Sequence, residues 1–492
     1  MRFSSSVTSV LAVFCHAAIA AGAKLLSGGT IIAFDQDAEQ LRVIRGGSIL
    51  IEGDRITDVS DVASPLDTPA GVEFVDCTDK IITPGFVDTH RHGWQTVFKT
   101  MGSNTTLADY ALRFSALVAA PLFTPDDLYI SQLAGIYEAV AAGVTTIVDH
   151  AHHTWTPEHA AAGLRASVDS GARVFFGYTF QNASAEFGVP EQIGQWKELA
   201  ASLKSNLTQL CIAYDEWTSN PTGGNTQAVM DLIKRPLFVG QHPPQDLHRA
   251  GILNTSTPIV ISHASHLDAR GAGLLRATNQ HVSITAESEM HYGHLHPTSH
   301  LILDQAPLGV DTHMTFSSDI LTQARLWLQS ARYRVYQNTL DRWQIPAQNP
   351  FSVNQAFLLA TRNGGLAVGR KDLGVIAPGA MADLVVWEGR SPAMLGWMDP
   401  VAAVILHASV GDIAHVLING AFRKRDGRLV NDLYYDEVQD RFLASARRIQ
   451  KVLKGMPLPP QEGNFLTGSP FGYVMQVDAQ RGEGTGYGPN FA

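Results

Sequence analysis

Between residues 84 and 372 the chain alternates apolar runs of strand length with stretches whose apolar positions recur at helical spacing, the pattern of repeated βαβ units around a parallel sheet. Eight runs read as strands: "GFVDTH", "TTIVDH", "RVFFGYT", "QLCIAY", "LFVGQH", "PIVISH", "VSITAE" and "MTFSSD". Eight such units predict an α/β chain built on a (β/α)8 TIM-type barrel. The flanks have another texture. Residues 22–83 hold short β-like runs such as "GGSILIEGDRITDVS", broken by Gly, Asp and Pro, and the same texture returns over 373–432. The two flanks are expected to pair into one composite β-sandwich domain. Residues 433–492 open with "YYDEVQDRFLASARRIQKVLKGM", which has helical spacing and a charged face, and end in a Gly/Pro-rich tail without periodicity.

Polar residues collect where the predicted strands stop: His90 and His92, Asp149 and His150, His242, His263, Glu287 and Asp319. Active sites of barrels sit at the C-terminal ends of the strands. His90 and His92 are two apart, so on a strand both face the same way. A lone pair at this spacing is more often satisfied by hydrogen bonds at a strand end. Three further donors, His242, His263 and Asp319, each close a different predicted strand, and imidazoles with one carboxylate describe a catalytic divalent metal. Zinc is the best match, and iron or manganese suits the same donors.

Composition narrows the partners. The 492 residues are 45% hydrophobic and 17% charged with a net charge of −10, and no Lys/Arg run exceeds Arg423 to Arg425. Nucleic acid and anionic membrane surfaces are thereby poor partners. Residues 1–21 carry Arg2, a Ser run and an apolar stretch ending in small residues, which predicts a signal peptide. With sequons at Asn104, Asn182, Asn206 and Asn254 the expectation is a secreted or lumenal glycoprotein. Cys77 and Cys211 then remain, expected as two buried thiols rather than one bridge, and a disulfide framework is excluded.

The stretches "PGFVDTHRH", "VGQH", "VISHASHL", "TFSSD" and "ATRNGGLAVGRKDLGVIAPGAMADLVVW" together resemble the metal-dependent amidohydrolase superfamily, over about residues 24–432. The branch they resemble holds guanine deaminase, adenosylhomocysteine deaminase and the triazine hydrolases. The resemblance implies His90, His92, His242 and Asp319 as ligands of a single metal, with His263 holding the attacking water or the developing oxyanion and Asp319 taking the water's proton. Gln95 is similar to a glutamine that holds the substrate ring in purine-deaminating relatives, and Trp94, Phe98 and Tyr110 would form a flat wall beside it. Glu287 and Glu289 are either substrate contacts or surface residues. The histidine-rich loop 287–300, with His291, His294 and His296, is the candidate for substrate specificity. A homodimer is the default expectation from relatives.

One position departs from the pattern. Deaminases of this branch carry a Glu three residues after the fifth-strand histidine, and here "HPPQ" puts Gln245 there. An amide cannot act as general acid or base, a role worth ~10²–10⁴-fold. Glu287, Glu289 or a loop histidine would have to shuttle protons, or the leaving group would need no proton. The expected function is hydrolysis at a carbon–nitrogen bond of a small, cyclic, non-peptide substrate. The alternative is a non-hydrolytic dehydratase, lyase or isomerase on the same scaffold, and a third reading is a catalytically silent binding protein.

Overall fold

The N-terminal flank forms five strands in the computed structural model, which describes residues 22–474 apart from 64–67, 217–222, 234–237, 241–242, 264, 266, 295–297, 431–434, 458–459, 466–469 and 473. β1 (Lys24–Asp35) pairs antiparallel with β2 (Gln40–Glu52), and β2 with β3 (Arg55–Ser60). β4 (Glu73–Asp76) and β5 (Lys80–Pro84) both run parallel to β1.

A second, seven-stranded sheet follows in chain order: β6 (Phe86–Arg91), β7 (Val144–Ala151), β8 (Arg173–Phe180), β9 (Thr208–Tyr214), β10 (Phe238–Gly240), β11 (Ile259–Ser262) and β12 (His281–Ser283). Every pairing in it is parallel. β6, β7, β8 and β11 are buried at every position, which is why they read as unbroken apolar runs: helices cover the sheet. The helix Pro125–Ala141 shows how the connections start. Thr124 accepts from the Asp127 backbone, Asp127 answers the Thr124 backbone, and Pro125 occupies the first turn.

The eighth predicted strand is displaced. Residues 314–319 form turn and coil, and the segment Leu308–Asp311 before them makes isolated parallel bridges, Ile284 to Leu308 and Arg91 to Asp311. Its backbone bonds both ways: Thr89 N to Leu308 O at 3.1 Å, Asp311 N to His90 O at 2.8 Å, and Gly309 N to Ile284 O at 2.9 Å. The approach is close enough to require glycine, since a Cβ at Gly309 would lie 2.8 Å from His90 N and 2.7 Å from Ser283 Oγ.

The chain then returns to the first sheet. β13 (Leu384–Glu388) lies antiparallel to β5 with Leu384 opposite Pro84, and β14 (Ile413–Ile418), β15 (Ala421–Arg425) and β16 (Arg428–Leu429) extend it to nine strands. Leu26, Ile49 and Ile51 from the first flank share one core with Leu384, Val386 and Leu417 from the second. The helix Tyr435–Gly455 places Val438, Ala446, Ile449 and Leu453 against an aromatic core around Trp94, Phe98 and Phe123. Cys77 and Cys211 are both buried, and burial pushes the Cys77 thiol up to about 12. No helix among the described residues is long and apolar enough to cross a membrane.

Candidate active site

Three imidazoles and one carboxylate meet at the ends of β6, β11 and the Leu308–Asp311 segment. His90 Nε2 and His92 Nε2 lie 3.3 and 3.0 Å from Asp311 Oδ1, and His263 Nε2 lies 3.7 Å from Asp311 Oδ2. The other ring nitrogens are held from outside. His92 Nδ1 is 3.0 Å from the His150 carbonyl, which can only accept, so this ring carries its proton on Nδ1 and turns a lone pair inward. Ser262 Oγ at 3.0 Å from His90 Nδ1 and Thr285 Oγ1 at 2.8 Å from His263 Nδ1 allow both rings the same tautomer.

His263 and Asp311 are both in the left-handed region, with φ of 63° and 68°. Each strand breaks its pleat there, which swings the side chain away from the alternation of the strand. His and Asp tolerate this conformation better than most residues, and such strain collects at functional sites. Beneath them, the fully buried Arg91 donates to Asp88 Oδ2 at 2.7 Å and to Ser318 Oγ at 2.6 Å, while Asp88 Oδ1 accepts from Val310 N at 3.0 Å. Asp149 accepts from Gly93 N at 3.1 Å and from Gln132 Nε2 at 2.6 Å. These buried pairs lock the strand end that bears the two histidines.

Charge follows from the same geometry. Burial drives His90 well below the usual imidazole range against the pull of Asp311. Burial opposes ionisation of Asp311, but His263, His90 and His92 override it and hold its carboxyl well below the usual range. For His92 and His263 burial is likewise overridden, by Asp311 in both cases and by Glu289 for the latter, and their pKa values rise. A neutral His90 and an ionised Asp311 are in the protonation states that a metal requires of its ligands.

Above this cluster opens a cavity of about 350 Å³, within the range of small-molecule sites. Its walls include Leu107, Tyr110, Pro244, Tyr292, Gln245 and His294. The two tyrosine rings are 5.5 Å apart, and their hydroxyls are tied back, Tyr110 to Gln95 Nε2 at 2.9 Å and Tyr292 to Thr315 Oγ1 at 2.9 Å. What they offer the cavity is aromatic surface.

Several sequence expectations change. Asp319 is not beside the histidines. It caps the helix Ile320–Leu340, accepting from the Thr322 backbone, while Asp311 occupies the place expected of it. Trp94 is fully buried against Phe98, Phe123 and Trp155, a core residue rather than a substrate wall. Gln95 is also fully buried and stands behind Tyr110, bonded to its hydroxyl and to the Phe114 carbonyl. Glu287 turns to the side chain of Gln323, 3.0 Å away, and burial together with Asp319 pushes it up to about 7. Glu289 is buried, accepts from Thr285 N at 3.1 Å and lies 3.7 Å from His263 Nδ1. His294 and Gln245 do line the cavity, but the Gln245 amide is engaged with Asp268 Oδ1 at 2.6 Å. His242 and His296 lie outside the described residues.

The sequence reading missed Asp311, Tyr292, His152 and Asp215. Asp311 had a usable signal in "PLGVDTH", a short apolar run ending in a carboxylate. His152 repeats the spacing of His90 and His92 one strand along, and Asp215 directly follows β9.

The donor set fits a divalent ion. His90, His263 and Asp311 place their ligand atoms within 4.8 Å of one another, and the buried His90 Nε2 has no hydrogen-bond partner. The chain thus joins an α/β fold to a His/Asp cluster at the ends of its parallel strands. The amidohydrolase family matches residues 81–423, and the chain belongs to that family. It is an enzyme of the amidohydrolase type.

The chain is 28% identical over 409 residues to the 5'-deoxyadenosine deaminase of Methanothermobacter thermautotrophicus, covering 78% of this chain and 91% of the relative. It is 24% identical to the 5-methylthioadenosine/S-adenosylhomocysteine deaminase of Pelotomaculum thermopropionicum, covering 80% and 92%. Among solved structures it superposes on atrazine chlorohydrolase from Arthrobacter aurescens TC1 complexed with zinc, with a TM-score of 0.71 at 18% identity, covering 86% and 99%. The fold is consistent with the TIM-barrel type. The same relatives correct the expectation of a signal peptide and a secreted glycoprotein, which rested on residues 1–21 and the four sequons: the likeness is to nucleoside deaminases, and residues 1–21 lie outside the described residues. That expectation is withdrawn.

Proposed function

We propose that the chain hydrolyses a carbon–nitrogen bond of a small amino-substituted N-heterocycle, using one divalent metal ion, zinc being the best match, held by His90, His92 and Asp311, with His242 as the further ligand that the family resemblance implies. The observation that carries this reading is the convergence of the His90, His92 and His263 Nε2 atoms on one ionised carboxylate at the floor of a cavity of small-molecule size. When bound, such an ion lowers the pKa of a water towards ~7 and polarises the carbon under attack. Asp311 Oδ2 is placed to take the proton that this water loses, and the Ser288 hydroxyl, which donates to it, keeps it oriented. His263, fixed by Thr285, holds the oxygen that attacks. Tyr110 and Tyr292 receive the flat ring. With Gln245 tied to Asp268, no carboxylic acid stands at the usual shuttle position, and proton movement falls to Asp311 and His263.

The reading extends to the architecture. Leu308–Asp311 serves as the eighth strand that closes a (β/α)8 barrel, and the nine-stranded sheet folds over its shared core as a composite sandwich. The non-hydrolytic alternative finds no support in the relatives, which are named deaminases and a chlorohydrolase.

Zinc-loaded protein assayed against aminopurine nucleosides and amino-triazines tests the proposal. Ammonia release is expected, and in ¹⁸O-water the product should carry the label at the attacked carbon. Turnover that yields unlabelled product would end the hydrolytic reading.

A further inference from the structure

We propose that His150, His152 and Asp215 form a second divalent-cation site, of the imidazole-preferring zinc type, beside the first and sharing no ligand with it. The end of β7 repeats the His-x-His spacing found at the end of β6, its neighbour in the sheet, and Asp215 follows the last residue of β9. His150 Nε2 and His152 Nε2 lie 3.0 and 3.2 Å from the same oxygen, Asp215 Oδ2, and the three ligand atoms are within 4.8 Å of one another. Two imidazoles around one carboxylate oxygen are either two donors to an anion or part of a ligand shell.

The burial of His150 decides between them. The ring is fully buried, its Nδ1 has no hydrogen-bond partner, and its Nε2 has nothing beside it but the Asp215 carboxylate oxygen at 3.0 Å. His159 nearby is satisfied at both nitrogens, by Thr156 Oγ1 at 3.0 Å and the Phe123 carbonyl at 3.1 Å, and His313 at one, Nε2, by Thr96 Oγ1 at 2.8 Å. His153 is also buried without a hydrogen bond, but it packs against the Trp155 and Phe176 rings, whereas His150 faces a carboxylate. A cation held by the two Nε2 atoms and by Asp215 gives this buried imidazole lone pair a positive partner in place of a bare carboxylate.

The site opens where substrate would lie. His152 lines the same cavity as His263 and Asp311, and its ring lies 4.4 Å from that of His92, tilted by 31°. His92 in turn is held by the His150 carbonyl. A second ion here would add positive charge to the cavity wall.

Full-length protein saturated with zinc, desalted and measured by plasma mass spectrometry should carry two equivalents. Asp215→Asn and His152→Gln should each carry one, and Asp311→Asn should retain the one at this site. Anomalous diffraction at the zinc edge locates each ion whichever variants are soluble, and should place one peak between His150, His152 and Asp215. Zinc content unchanged in Asp215→Asn, with no peak between the three residues of the wild-type protein, overturns the proposal. A peak here with none beside Asp311 upholds it while removing the hydrolytic reading of the first site.

Discussion

The ends of β6 and β7 carry the same His-x-His spacing on adjacent strands, yet they are completed in different ways. The β6 pair is fully enclosed, its outer nitrogens held by Ser262 and a carbonyl, and it is closed by two residues in left-handed conformation, His263 and Asp311. The β7 pair meets a single carboxylate, Asp215, and is less enclosed: His150 is buried, but His152 and Asp215 are 17% and 32% exposed, and His152 lines the cavity. Spacing alone tells that two side chains share a face. What they become depends on which strand returns beside them, and on whether that strand bends to aim a carboxylate inward.

The sharpest way to break this contrast is Asp311→Asn. Turnover should fall by about 10³-fold, equivalent to roughly 4 kcal/mol of transition-state stabilisation, and exhaustive chelation of the wild type should do the same until zinc is restored. Wild-type kcat in Asp311→Asn would sink the assignment of the first cluster. Gln245→Glu should raise ammonia release by up to ~10²-fold while leaving zinc content unchanged, because a carboxyl at this wall supplies the missing acid. Loss of zinc in that variant would show that Gln245 stands elsewhere relative to the ion.

Smaller effects sharpen the comparison. Gly309→Ala forces a Cβ to within 2.8 Å of His90 N, and denaturant unfolding should register a loss of ~1–3 kcal/mol together with weaker zinc retention. Asp319→Ala should cost about 1 kcal/mol through the lost helix cap and leave kcat within about twofold. If Asp319→Ala abolished turnover instead, Asp311 and Asp319 would have to exchange roles. Least of all, Glu287 links stability to pH. Its pKa is raised from 4.5 to about 7, so the folded chain keeps a proton that the unfolded chain releases. Stability from this group is complete below pH 4.5 and declines as pH rises to about 7. Glu287→Gln should flatten that decline in thermal melts taken across the window.

Strands buried on both faces announce themselves as apolar runs, which is why seven of the parallel strands and both β-rich flanks were legible before any coordinates. The eighth position was not. Leu308–Asp311 is four residues with a glycine inside and Pro307 before it, signals that read as a turn, and a second aspartate at 319 ends a more conspicuous run. Trp94 and Gln95 were misjudged because they lie in the 3₁₀ helix Gly93–Phe98, too short for periodicity to reveal that it faces inward. His152 and Asp215 stand just past their strands, where a single polar residue is indistinguishable from ordinary loop until the fold brings the two together.

The pairing of β5 with β13 joins Pro84 to Leu384. A ribosome adding ~5–20 residues per second needs on the order of 15–60 s to make the intervening chain. Throughout that interval the flank of β5 that β13 will occupy is an unpaired strand margin, the kind of surface on which nascent chains stick to one another. Biogenesis of this protein should thus be most vulnerable late, and a circular permutant that begins near β13 and fuses the native ends would complete its first sheet early and gain most in yield.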